Sequence, residues 1–150
     1  MKRCLIVYDS YHHGNTKKVA EAMAVASGAE LCPAADAADR DLSAYDVVGF
    51  GSGIAYGKPY EALQKAAARL DLAGKTVFVF STCGSGNTHY NDFFEKRLKE
   101  AGASVAGGFS CRGFDTVGPF RLVGGIAKGH PDDADLAAAK KFAADMVREG

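Results

Sequence analysis

Cys4-Leu5-Ile6-Val7-Tyr8 runs straight into Asp9-Ser10-Tyr11-His12-His13-Gly14-Asn15-Thr16, and then into Lys17-Lys18-Val19-Ala20. Five apolar residues in unbroken succession mark a strand covered on both faces, because a half-exposed strand would alternate. The polar, glycine-bearing segment that follows is turn chemistry. Val19, Ala20, Met23 and Ala24 then set a helical stripe from residue 15 to residue 27. Strand, polar turn and helix are the first half of a parallel βαβ unit.

The same alternation continues along the chain. Residues 29–32, 47–50, 76–80 and 104–109 read as further strands, and three more helical stripes follow the last three of them. These are Tyr60/Leu63/Ala67/Leu70, Phe94/Leu98/Ala101, and Leu136/Ala139/Phe142/Ala143/Met146/Val147. Residues 34–46 leave room only for a short or irregular helix. Gly28, Gly74 and Gly102 stand where left-handed helix caps belong, Pro59 suits a first helical turn, and Asp132, Asp133 and Asp135 suit the start of the last helix. The expectation is an α/β fold. It is a doubly wound, five-stranded parallel sheet of order 2-1-3-4-5 with helices on both faces.

Composition agrees. The chain has 150 residues, with 18 Lys+Arg against 18 Asp+Glu. That length suits one domain over residues 1–150, burying roughly 68–70% of its unfolded surface. A formal net charge of zero gives no global attraction to nucleic acid or anionic lipid. No apolar run approaches the roughly 20 residues of a transmembrane segment, and the five-residue run at the start is too short for a signal peptide. A cytoplasmic protein is expected. Cys4, Cys32, Cys83 and Cys111 share no metal-ligand spacing, so reduced thiols are expected and no metal site.

In an open parallel sheet, ligands bind outside the carboxyl ends of the strands. The segments there are 9–16, 51–58, 81–90 and 111–130, all rich in Gly, Ser, Thr and aromatics, whereas the opposite turns are short and plain. The first of them opens a helix whose N-terminus attracts an anion, with Ser10, Asn15 and Thr16 as added donors. It lacks G-x-x-x-x-G-K-[ST] and G-x-G-x-x-G, which points away from nucleoside triphosphates and dinucleotides toward a monophosphate.

Val7-Tyr8-Asp9-Ser10 followed by Gly14-Asn15-Thr16 resembles the phosphate loop of flavodoxins, usually Ser/Thr-x-Thr-Gly-x-Thr after the first strand. Phe50-Gly51-Ser52, Tyr56-Gly57 and the loop Ser81-Thr82-Cys83-Gly84 extend the resemblance along essentially the whole chain. The loop is one residue longer than the family form, and His12-His13 replace small hydroxyl residues. The resemblance implies FMN as cofactor. Its phosphate would be held by Ser10, His12, His13, Gly14, Asn15 and Thr16. Its ring system would lie among Ser52, Gly53, Tyr56, Gly57, Thr82, Cys83, Gly84 and Tyr90, with Tyr56 and Tyr90 (or His89) as stacking partners. Gly57 would permit the backbone flip that flavodoxins use on reduction. The family carries an acidic residue next, where this chain has Lys58. No side chain forms a recognisable acid–base pair.

The function implied is a flavoprotein that carries electrons between redox partner proteins. The alternative is an FMN-dependent oxidoreductase acting on a quinone or on protoporphyrinogen, similar to single-domain flavodoxin-like dehydrogenases. The neutral charge and the long 113–130 segment, expected to cover the flavin or a partner surface, favour that alternative.

Overall fold

Along β1 (Cys4–Asp9) successive side chains enter two different cores. Leu5 and Val7 pack with Val48, Phe50, Val77 and Val79 on one side of the sheet. Cys4 and Ile6 pack with Val47, Phe78 and Phe80 on the other. This is why the run is continuously apolar. The computed structural model describes residues 1–10, 14–113 and 129–148. After β1 come α1 (Asn15–Ser27), β2 (Glu30–Pro33), β3 (Val47–Ala55), β4 (Lys58–Pro59), α2 (Glu61–Ala68), β5 (Thr76–Cys83), α3 (Asp92–Glu100), β6 (Ser104–Arg112) and α4 (Asp133–Met146).

The sheet order is β2-β1-β3-β5-β6, and every one of these pairings is parallel. β4 is a two-residue antiparallel return on β3, so the long strands follow the expected order. Helices α2 and α3 cover one face through Leu63, Phe94 and Leu98. Helices α1 and α4 cover the other through Val19, Met23, Ala139 and Ala143. Each fully buried Phe of this core contributes roughly 1.5–3 kcal/mol.

Two glycines let the second core form. In register, Gly49 faces Phe78 and Gly51 faces Phe80. A Cβ on Gly49 would lie 2.2 Å from Phe78 Cζ, and one on Gly51 would lie 2.1 Å from Phe80 Cζ. The rings of β5 thus lie across bare backbone on β3. At the amino end of the sheet, the Lys2 N–H donates to the Val147 carbonyl at 3.0 Å, joining the start of β1 to the end of α4.

Four expectations are corrected. β3 continues past Phe50 to Ala55, because Gly51, Ser52 and Gly53 all keep ladder partners on β5. β5 likewise continues past Phe80 to Cys83. Pro59 lies in β4, and α2 starts after Tyr60. Gly74, at φ 75°, serves the turn before β5 instead of capping α2, and its N–H bonds the Gly102 carbonyl. Between β2 and β3 there is only a single 3-10 turn, Ala34–Asp36.

Candidate functional site

The apolar strands all turn polar at the same level. Asp9 of β1 is in register with Ser52 of β3, Ser52 with Ser81 of β5, and Ser81 with Ser110 of β6. This row crosses four of the five parallel strands, β1, β3, β5 and β6, and marks where the core stops. The next level holds Gly53, Thr82 and Cys111. The row itself went unread in the sequence, although each apolar run visibly ends in Ser or Asp.

Most of the polar groups in these rows are already engaged. The Ser52 hydroxyl donates to the Gly53 carbonyl at 2.6 Å and accepts the Tyr60 N–H at 3.0 Å. Ser52 is fully buried inside β3, and the space beside Gly53 is filled by the Tyr60 hydroxyl. Asp9 is the exception. Its Oδ2 is buried without a hydrogen-bond partner among the described residues, and burial pushes its carboxyl above the usual range.

Helix α1 begins behind Gly14, which is left-handed at φ 67° and has open space where a Cβ would be. Gly14 has no side chain with which to cap the helix, and the first turn carries no acidic residue. The Ser10 hydroxyl accepts the Lys17 N–H at 3.2 Å. Thr16 turns inward and its Oγ1 lies 2.9 Å from Oγ1 of Thr82, tying the start of α1 to the end of β5. Asn15 abuts Gly113, where a Cβ would lie 2.7 Å from Asn15 Nδ2. The Gly113 N–H donates to the Cys83 carbonyl at 3.0 Å, and Arg112 Nε donates to the Gly84 carbonyl at 3.1 Å. The segments after β1, β5 and β6 therefore converge. His12, His13 and residues 114–128 lie outside the described residues.

Cys83 is buried, with Sγ 3.6 Å from Ser85 Oγ. Burial pushes the thiols of Cys4 and Cys111 up to about 12, so both stay protonated. Tyr90 is half-buried and its ring lies 4.1 Å from that of His89, in a turn where Asn87 Oδ1 accepts the His89 N–H.

Tyr56 stands apart from all of these. It occupies the first central position of the hairpin joining β3 to β4, at φ 53°, with Gly57 following at φ 79°. Positive φ at both positions is what a tight type I′ hairpin requires, and it normally selects Asn or Gly. Here a large aromatic residue takes that conformation and is completely exposed, at 101%. Lys58, next in the chain, turns away toward α3, with Nζ 4.3 Å from the centre of the Phe93 ring.

A parallel sheet of this order, with helices packed on both faces, defines a flavodoxin-like α/β protein. A family model described as a flavodoxin domain matches residues 5–115, and the chain belongs to that family. It is similar to an uncharacterized protein of Methanocaldococcus jannaschii, at 34% identity over 97% of this chain and 99% of the relative. Among solved structures it resembles oxidised flavodoxin 1 of Bacillus cereus (23% identity, TM-score 0.71, 97% of each chain). It also resembles the two-electron reduced flavodoxin of Megasphaera elsdenii, with 21% identity, a TM-score of 0.65 and coverage of 93% and 98%.

Proposed function

We propose that this protein binds FMN non-covalently and carries electrons between redox partner proteins. The observation that carries this reading is Tyr56, a wholly exposed aromatic held in left-handed backbone at the ligand end of the sheet. Such a ring gains nothing from the fold itself, and it offers a face on which a flat heterocycle can stack.

The rest of the site suits the remainder of that ligand. The N-terminus of α1, with its oriented N–H groups and no acidic residue in its first turn, favours a phosphate. Thr16, Thr82 and Ser10 place hydroxyls around it. The Asp9 Oδ2 acceptor calls for a donor, which a ribityl hydroxyl supplies. Phosphate, polyol and aromatic ring are together FMN. The flavin supplies the redox chemistry when bound. Gly57, with no Cβ in its left-handed conformation, gives the hairpin backbone the freedom to reorient beside it.

The test is titration of the apoprotein with FMN, FAD and riboflavin, followed by flavin fluorescence. FMN is expected to bind tightest and to be quenched. Equal affinity for FMN and riboflavin would remove the phosphate site from the proposal. Assays of the FMN-loaded protein with NAD(P)H and quinones then separate a carrier from an oxidoreductase, since a carrier shows no steady turnover.

A further inference from the structure

The start of α4 carries chemistry that the flavin reading does not use. His130 Nδ1 lies 2.7 Å from Asp135 Oδ2 and 3.7 Å from Asp132 Oδ2. One donor atom from each of the three side chains falls within 4.8 Å of the other two. The carboxylates are already fixed in place, since Asp132 Oδ1 accepts the Asp135 N–H and Asp135 Oδ2 accepts the Asp132 N–H, both at 2.9 Å. Asp132 Oδ2 keeps only His130 as a partner among the described residues. No Lys or Arg pairs with either carboxylate there, whereas the ion pairs of Glu30, Asp39, Glu61 and Asp145 each use one.

A fourth donor lies beneath. Phe142 of α4 packs on Phe109 of β6, with ring centres 5.6 Å apart. The end of α4 meets the amino edge of the sheet, so its earlier residues lie toward the carboxyl edge. Asp135 stands two helical turns before Phe142, about 10 Å along α4. Cys111 stands two residues beyond Phe109, about 7 Å along β6 in the same direction. Asp135 thus sits at the level of Cys111, and the charges of Asp135 and Asp132 both reach that thiol. Cys111 is only 6% exposed, and its thiol has no hydrogen-bond partner among the described residues.

We infer that His130, Asp132, Asp135 and Cys111 together bind one divalent ion of the zinc class. One imidazole nitrogen, two carboxylate oxygens and one thiol sulfur form a borderline donor set that suits tetrahedral Zn²⁺. Mg²⁺ and Ca²⁺ demand six or more oxygens, which this cluster does not offer. Nitrogen and oxygen donors on Zn²⁺ stand about 3.3 Å apart, so small side-chain rotations close the present trio around an ion. The ion takes the thiol as thiolate, and the displaced proton leaves to solvent. Spacing along the chain does not reveal the site, because only the packing of α4 on β6 brings position 111 to positions 130–135. The bound ion would join the end of β6 to the start of α4, whether or not flavin is present.

The test uses the full chain, free of flavin and stripped of metal by EDTA, titrated with Co²⁺ as a spectroscopic stand-in for Zn²⁺. One equivalent is expected to give the intense visible bands of tetrahedral cobalt and a near-ultraviolet thiolate-to-cobalt charge-transfer band. Zn²⁺ should displace it, and a large excess of Mg²⁺ should not. H130A leaves the Asp132/Asp135 capping bonds intact and should weaken Co²⁺ by more than about 100-fold, beyond the loss that follows removal of an outer-shell partner. C111S should keep visible bands and lose the charge-transfer band. A weak octahedral spectrum in the native chain, equal affinity in H130A, displacement by Mg²⁺, or a charge-transfer band that survives C111S would each overturn the inference.

Discussion

The hydroxyls of Thr16 and Thr82 lie 2.9 Å apart, one at the mouth of α1 and one at the end of β5, and both side chains are buried. Two hydroxyls carry two protons and their mutual bond uses one, so the pair keeps a proton to donate to a third oxygen. It is at once a clasp between two elements and, where the phosphate is proposed to sit, a donor.

Thr16→Val strands the Thr82 hydroxyl in a buried place, which costs about 1–3 kcal/mol of stability. Thr16→Val/Thr82→Val removes both partners and should recover part of that loss. Urea unfolding of the two single variants and the double variant gives the coupling directly. Losing a hydrogen bond to a charged group should also reduce the preference for FMN over riboflavin by about 10- to 150-fold.

For Tyr56, fold and ligand pull in opposite directions. Left-handed backbone costs a non-glycine residue about 1–2 kcal/mol, and glycine returns part of that gain as unfolded-chain entropy. Tyr56→Gly should therefore raise apoprotein stability by about 0.5–1 kcal/mol. Flavin affinity should fall by about two- to twelvefold before lost contact area is counted. Thermal unfolding of the apoprotein and fluorescence titration read the two effects separately.

Gly51→Ala places a methyl group 2.1 Å from Phe80 Cζ, and Phe80 is only 1% exposed, with no room to retreat. A loss of about 1–3 kcal/mol or more is expected, seen as a lower urea midpoint. Phe80→Leu in the same chain should restore part of it, whereas it destabilises the native chain.

Asp9 gives a pH signature. Its folded-state pKa is raised by burial, so ionisation weakens the fold. Stability is lost as pH climbs from the ordinary carboxylate range through the raised value, and then levels off. Asp9→Asn removes that loss. The variant should be more stable than the native chain at neutral pH, and the difference should close in acid. Denaturation midpoints across pH 3–8 check the sign.

Much of the architecture was legible because it rests on period and punctuation. The doubly buried run at residues 4–8, the α1 stripe closed by Gly28, and the aspartates opening α4 each carry their cause in local sequence. The Asp132/Asp135 capping box realises the last of these. What escaped reading depends on neighbours far along the chain. Gly51-Ser52-Gly53 looks like loop and becomes strand because β1 and β5 pair with its two sides. The polar segments at the carboxyl ends of the strands were legible as a set, and Tyr56 stood out as an aromatic beside glycine. The internal use of Ser52, the inward turn of Thr16 and the pull of Phe93 on Lys58 are tertiary facts that no local pattern announces.

The hydrogen bond from Lys2 to Val147 has a consequence for how the chain can be rewritten. The outer ends of β1 and α4 meet at the amino edge of the sheet, away from the ligand segments. A few linker residues would join them, and new termini could open in the turn at residues 72–75, on the same side. Circular permutation at that point changes the order in which the elements are synthesised while leaving every strand neighbour in place. The ligand end is then independent of where the polypeptide starts.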